Sequence, residues 1–363
     1  GWITQRDRAR IEAYVYTVGP GDAVTGVIRS AADASRTLPR ATAGDARAGA
    51  QAAAAAARML AADDLDAIVY PSIGMHPLML ALGSLRLAPV QAVAWGHPVT
   101  TGLDAIDLFL TSGAMEPPGA DAHYTERLVR LPGIGAPAAR FAPAPPAPRA
   151  SFGLGDDDTV YVCLQSLFKL LPAYDRLYAA IAARDPRAVV VFIRDRSRPV
   201  TELTHARLAA AFEAAGADPG RQLVVLPRMP SDRFRALTEV ADLALDAPGW
   251  SGGMTTLTAL SVGTPTVTWP GPLMRGRHTA AMLRQIGRDD LVADSLDATV
   301  DLAVVLGACP DERARLRSAI LARVDELFAD PATVRALEDA LHAACRAAPD
   351  ESPDGDPERW GAT

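Results

Sequence analysis

Asp246-Ala247-Pro248-Gly249-Trp250-Ser251-Gly252-Gly253-Met254-Thr255-Thr256-Leu257, continued by Gly263-Thr264-Pro265-Thr266-Val267-Thr268, is the stretch whose reading decides the fold. It reads as the end of a strand, a loop, a helix, a tight turn and a second strand. Residues 242–245 supply the short apolar strand. Gly252 and Gly253 carry no side chain, so the backbone there can approach a ligand closely. Met254, Thr255 and Thr256 open the helix. Its first N–H groups lack partners within the helix, and the helix dipole is positive at that end. The turn is therefore a candidate anion site, suited to a diphosphate. Two glycines ahead of a helix also occur at ordinary strand-to-helix turns, so the reading needs support from the rest of the chain.

Outward from this stretch, the same alternation repeats. Residues 160–164, 188–193 and 222–226 read as strands, and 173–184, 201–215 and 231–240 as helices. Upstream, 11–18, 65–70, 90–95, 106–111 and 127–131 read as strands, with helices over 23–32, 44–62 and 77–85. Downstream, 280–286, 299–306, 311–328 and 332–344 read as helices. Alternating strands and helices indicate parallel, doubly wound sheets. The proline-rich run 136–150 (APAARFAPAPPAPRA) marks a domain boundary. The expected architecture is α/β, with two Rossmann-like domains facing a cleft. Residues 1–135 form the first; 151–346, with its C-terminal helices, the second. A disordered polar tail is expected over 347–363. Ligands of such sheets sit beyond the carboxyl ends of the strands, where the loops at Gly74, Gly96, Gln165 and Ser251 fall.

Composition narrows the function. The chain has 363 residues, 49% of them apolar, and a net charge of -7 with no basic run. A phosphate-tracking nucleic-acid surface is excluded on those terms. No apolar run approaches the ~20 residues that span a bilayer, and no signal peptide is visible, so no membrane partner is expected. Cys163, Cys309 and Cys345 are odd in number and far apart, which fits neither a disulfide framework nor a paired metal motif. A cytoplasmic location is expected. Asp156-Asp157-Asp158 precedes a strand, at the wrong end for a cleft site, and reads as a solvated turn. Among 36 basic residues Lys169 is the sole lysine. A compact ammonium differs from a planar guanidinium, so a lone lysine in an arginine-biased chain suggests a role that arginine cannot fill. Gly1 in place of Met suggests an excised piece.

Three segments are familiar. The first is Ala88-Pro89-Val90-Gln91-Ala92-Val93-Ala94-Trp95-Gly96-His97-Pro98-Val99-Thr100-Thr101-Gly102. The second is Leu164-Gln165-Ser166-Leu167-Phe168-Lys169-Leu170-Leu171-Pro172. The third is the opening stretch with Pro270-Gly271 and Arg275-Gly276-Arg277-His278. In order and spacing they resemble the catalytic region of the O-linked N-acetylglucosamine transferases, with their SPINDLY-type relatives and the bacterial adhesin N-glycosyltransferases (glycosyltransferase family 41). The resemblance runs from about residue 11 to about residue 293.

The resemblance implies a GT-B glycosyltransferase that moves N-acetylglucosamine or another hexose from a UDP-sugar to a protein or peptide side chain. Transfer would invert the anomeric centre and use no metal and no cofactor. Lys169 matches the family lysine on the donor diphosphate, with Gln165 and Ser166 just ahead of it. Gly252, Gly253, Met254, Thr255 and Thr256 match the diphosphate-binding helix start. Arg275, Arg277 and His278 are candidates to touch phosphate or sugar, since arginine can grip phosphate with two bonds. His97, in a Gly-His-Pro loop, is the candidate base or orienting group on the acceptor side. His76 is a weaker candidate, and His123, His205 and His342 carry no motif. The chain departs from the family pattern at Ser166, Gly253 and Thr258, which stand at its glutamine, histidine and ribose-contacting aspartate. It also begins after the family's upstream strand with an active-site histidine, and acceptor-recruiting helical repeats would lie further upstream. Two other readings stay open. A UDP-sugar epimerase of GT-B fold would convert sugar with no acceptor. A silent nucleotide-sugar-binding module would bind UDP without turnover.

Overall fold

The computed structural model describes residues 1–40, 44–71, 73–143, 145–328 and 330–348. The fold has two compact units. The first takes Gly1–Gly113, Gly119–Ala136 and the chain from Pro331 onward; the second takes Ala114–Pro118 and Pro137–Asp330. Residues 349–363, which hold nearly all of the expected disordered tail, lie outside the described residues.

In the first unit, β1 (Tyr14–Val18) and β2 (Ala34–Leu38) form a parallel pair joined by α1 (Ala23–Ala31). Asp22 starts α1 by accepting from the Thr25 amide at 2.8 Å, as an N-cap residue should. The sequence pattern does not reveal β2, because its Ala-Ser-Arg-Thr-Leu run buries only Leu38. Helix α2 (Ala46–Ala61) buries Ala52, Ala56 and Leu60. These positions are four apart, so the alanine run is a helix face.

The main sheet of this unit follows. Its strands are β3 (Ala67–Tyr70), β4 (Val90–Ala94), β5 (Leu108–Ser112) and β6 (Arg127–Leu131), parallel and in that spatial order, with α3 (Pro77–Gly83) between β3 and β4. Every residue of β4 and β5 is buried, as in a parallel strand covered on both faces. The strand period of two sorts them. Val93 and Phe109 pack with Ala56, Leu60, Leu78 and Leu82, while Ala92, Ala94, Leu108 and Leu110 pack on the other face.

The second unit holds β7 (Thr159–Val162), α4 (Asp175–Arg184), β8 (Ala188–Ile193), α5 (Arg198–Ala214), α6 (Pro219–Gln222) and β9 (Leu223–Leu226). Then come α7 (Ser231–Val240), β10 (Leu243–Leu245), α8 (Met254–Ser261), β11 (Thr266–Val267), α9 (His278–Gln285), α10 (Leu296–Ala308) and α11 (Pro310–Arg323). The five strands are all parallel, in the order β11-β10-β7-β8-β9. The chain starts at the central β7, runs outward through β8 and β9, then returns to lay β10 and β11 on the other side. The reversal falls between β7 and β10, the place where open α/β sheets form a crevice. Val160 and Val162 pack with Ala236, Leu237 and Ala259 of α7 and α8. Tyr161 faces the other way, its hydroxyl donating to Asp185 at 3.1 Å. The sheet is thus covered on both sides.

The proline-rich run is a bound part of the second unit rather than a free spacer. Arg140 pairs with Asp325, and the Phe141 and Phe328 rings meet edge to face at 6.1 Å. Arg149 donates to the carbonyls of Val240 (3.1 Å) and Asp158 (2.8 Å) and pairs with Asp242 at 2.7 Å.

One boundary needs correction. The last helix, α12 (Pro331–Ala347), belongs to the first unit, not to a C-terminal domain reaching 346. It packs on β4 and β6. Leu337 and Ala344 join the cluster of Val90, Ala92 and Leu110, and Glu338 accepts from the Asp7 amide at 2.8 Å. An amphipathic pattern shows that a helix buries one face, not which sheet receives it. Val334, fully buried on α12, tests the assignment. Val334→Asp is expected to destabilise the first unit by about 3–5 kcal/mol, the cost of an unpaired buried charge. Amide exchange should accelerate in β4 and β6 while β7 and β8 keep wild-type protection; the opposite pattern would place α12 with the second unit.

Candidate functional site

The site forms where β7 and β10 end. The two strands pair through Leu243 with Tyr161 and Ala244 with Val162, so the loops that follow them are neighbours. After β7 come Gln165, Ser166 and a 3₁₀ turn over Leu167–Lys169. After β10 comes loop 246–253, which leads into α8.

Asp246 shapes the second loop. Its carboxylate accepts from the Gly252 amide (2.8 Å), the Ser251 hydroxyl (2.6 Å) and the Thr268 hydroxyl (2.7 Å). Desolvation is the first influence on this group and pushes its pKa up, while those hydrogen bonds pull it down. A net upward shift means that the ion sits in a dry setting, where each donor matters more. Ser251 extends the clasp to α9, accepting from the Thr279 amide at 2.9 Å. The Thr279 and Thr256 hydroxyls bond at 2.7 Å. A Cβ on Gly252 would collide with the hydroxyls of Thr255 and Thr256, so glycine is required there for close approach.

Gln165 ties the first loop to the second. Its amide donates to the carbonyls of Trp250 (3.0 Å) and Ser251 (3.3 Å). His278 bonds the same Ser251 carbonyl through Nδ1 at 3.3 Å. Its Nε2 meets the Met274 sulfur at 3.3 Å. His278 is buried, and its pKa falls to about 4, chiefly through burial, with the Ser251 hydrogen bond opposing and the Lys169 charge contributing. It is a buried, neutral support for the loop.

What the clasp leaves unpaired is the informative part. Gly253 occupies the N-cap of α8, and no side chain caps that helix. The amides of Gly253, Met254, Thr255 and Thr256 meet no acceptor among the described residues. The Lys169 ammonium has no ion pair and no hydrogen bond among them either. It lies 5.1 Å from the Trp250 ring centroid and 5.8 Å from that of Phe168, a cation over aromatic faces. Burial lowers its pKa below the ordinary lysine value. A half-buried cation without a carboxylate among the described residues, over the indole of the loop that leads into an uncapped helix, is an arrangement an anion would complete.

The other expected residues divide. Gln165, Lys169, Gly252, Gly253 and Thr255 come together at this loop. Thr256 is buried and spends its hydroxyl on Thr279. Met254 is exposed, as is Ser166, whose amide donates to Gln165 at 3.1 Å. Arg277 turns to the Gly271 carbonyl (3.1 Å). Desolvation depresses its pKa first, with Arg284 adding to this and Glu116 opposing. Arg275 instead faces the Trp250 ring, at 5.8 Å. Asp246, Trp250 and Thr279 were not singled out from sequence as site residues; an aspartate ending an apolar strand was the available signal for the first.

His97 lies in the first unit, in the loop after β4. Gly74, at φ +92°, lets the ring pack against its backbone, and Gly96 avoids a collision with the Pro71 carbonyl. Glu126 anchors the rest of that loop, accepting from the Thr100 hydroxyl and the Thr101 amide, each at 2.7 Å. The acidic run stays a turn: the Gly155 amide donates to Asp158 at 2.7 Å. Among the described residues no group of three His, Cys, Asp or Glu could hold a metal.

Residues 145–330 match the model of glycosyl transferase family 41. The chain belongs to that family. This family 41 chain is 28% identical over 269 residues to a probable UDP-N-acetylglucosamine–peptide N-acetylglucosaminyltransferase SPINDLY of Solanum lycopersicum, covering 72% of the chain and 28% of the relative. It is 26% identical over 236 residues to the probable enzyme SEC of Arabidopsis thaliana, covering 61% of the chain and 23% of that relative. It thus spans about a quarter of the length of these curated relatives. A lysine-to-methionine mutant of the Thermobaculum terrenum O-GlcNAc transferase superposes with a TM-score of 0.75 at 31% identity, over 96% of this chain and 65% of that one. The family 41 chain has the GT-B fold, and the matched residues contain the whole loop site.

The buried histidine gives the site a pH signature. Folded His278 titrates near 4, against about 6.5 when unfolded. The unfolded chain therefore gains a proton first as pH falls, and stability present above about 6.5 is lost progressively toward 4. Relative to wild type, His278→Gln should remove about 1.4 kcal/mol of that loss per pH unit, measured by urea unfolding between pH 6.5 and 4.5. Parallel curves for the two proteins would show that His278 does not carry the effect.

Proposed function

We propose that this family 41 chain transfers a sugar, N-acetylglucosamine or another hexose, from a UDP-sugar to a protein side chain, with inversion and without a metal. The acceptor hydroxyl or amide attacks the anomeric carbon as the bond to the diphosphate breaks. Negative charge then grows on the departing phosphate. Fixed positive charge aimed at that point stabilises the transition state more than the ground state. In this reading Lys169 and the amides of Gly253 to Thr255 supply it. The observation that carries this reading is the Lys169 ammonium, unpaired among the described residues, over the Trp250 ring of the loop that leads into the uncapped start of α8. The relatives' names, which specify a UDP-sugar and a peptide, support it.

The loop at His97 is proposed to serve the acceptor, with the histidine as base or orienting group. The three cysteines are free thiols, which supports a reducing compartment such as the cytoplasm. No helix among the described residues is long and apolar enough to cross a membrane. Lys169→Ala should lower kcat by about 10²–10³ and weaken UDP binding in calorimetry by at least tenfold, about 1.4 kcal/mol. Unchanged UDP affinity would remove Lys169 from the site and sink the reading.

A further inference from the structure

We infer that Arg207 and Asp175 are positioning residues for sugar transfer: a guanidinium and a buried carboxylate pin the turn that carries Lys169, and so fix where its ammonium lies. The inference rests on the proposed role of Lys169 at the donor diphosphate and adds the groups that hold that lysine in place.

The turn needs an anchor. Leu167–Lys169 is a single 3₁₀ turn, held within itself by the Lys169 amide on the Ser166 carbonyl (3.0 Å) and the Leu170 amide on the Leu167 carbonyl (3.1 Å). Such turns are short and their hydrogen-bond geometry is poor. Lys169 is half-buried over Trp250, while water would solvate its charge better. A cation in that setting stays only if the backbone beneath it cannot swing outward. Ahead of the turn, Gln165 supplies one tie through the Trp250 and Ser251 carbonyls. Behind it, Arg207 supplies the other. Its Nη2 donates to the Leu170 carbonyl at 2.8 Å, and its Nε lies 2.6 Å from the Asp175 carboxylate.

Both residues stand on packed helices. Arg207 is on α5, which buries Thr204, Leu208 and Phe212, and Asp175 opens α4, which buries Leu177, Tyr178 and Ile181. The two helices pack on each other. The Asp175 side chain is 8% exposed and that of Arg207 30%. An ion pair this buried adds little net stability over apolar residues of the same size. Its placement is what counts: the carboxylate holds one arm of the guanidinium while another reaches the backbone one residue past Lys169. The planar fork serves both partners at once, which a single ammonium on a flexible stem does not.

Lys169 is the sole lysine of the chain, which makes the test direct. A chain carrying isotope-labelled lysine gives one Cε–Hε correlation in NMR, displaced from the free-lysine position by the Trp250 ring. Arg207→Met combined with Asp175→Leu removes the pair without stranding a buried charge; Arg207→Lys keeps the charge and loses the fork. In both variants the correlation should move toward the free-lysine position while cooperative unfolding is retained, and Arg207→Lys should lie between wild type and the double variant. In the double variant kcat should fall by about 10–10², with the acceptor KM unchanged, and UDP affinity in calorimetry should fall several-fold. A correlation that keeps its wild-type position in a folded variant overturns the inference, whatever the activity; where one variant fails to fold, the other decides. A displaced correlation with unchanged kcat and UDP affinity upholds the anchoring and strikes instead at the role of Lys169 in the donor site.

Discussion

The clasp of one carboxylate, Asp246, holds the site together. It sits at the end of β10 and fixes a backbone amide and two hydroxyls, Ser251 and Gly252 on its own loop and Thr268 just past the neighbouring β11. Through Ser251 the constraint reaches Thr279 and the start of α9. The loop is thereby rigid before any ligand arrives. That matters for catalysis, because donors that need no reorganisation at the moment of reaction stabilise a developing charge most effectively. The carboxylate turns its charge onto the loop's own donors, and the next four amides have no acceptor among the described residues.

Strand order explains why this loop meets Lys169. Only at the reversal between β7 and β10 do adjacent strands end in loops that lie side by side instead of being separated by a covering helix. Gln165, three residues past β7, uses the closeness to bind the carbonyls of Trp250 and Ser251. Trp250 then faces Lys169 and Arg275 together. The indole lets two cations approach one region with no carboxylate among the described residues paired to either, which keeps their charge available to a ligand.

Much of this was legible in the sequence, and the limits are physical. Parallel strands buried on both faces, such as Val-Gln-Ala-Val-Ala at 90–94, read as apolar runs, and the glycines at 252 and 253 marked the loop. The sole lysine stood out against an arginine background. Strand β2 was not legible, because an edge pair that buries only Leu38 has no hydrophobic pattern to read. The partner of α12 was not legible either, since amphipathicity gives a face and no address. Arg277 and Arg275 are two residues apart and chemically identical, and only the path of the Gly271–Gly276 turn decides which one faces Trp250. The inward use of the Thr256 hydroxyl and the burial of His278 depend likewise on α9 packing over the loop, a tertiary contact no local pattern announces.

A crystal structure of the chain soaked with UDP tests the central claim most directly. The account predicts a phosphate oxygen within about 2.7–3.1 Å of the Lys169 nitrogen and of at least one amide from Gly253 to Thr255, with the contacts of Asp246 unchanged. UDP bound with its diphosphate away from the α8 start, or Lys169 turned from it, would contradict the account.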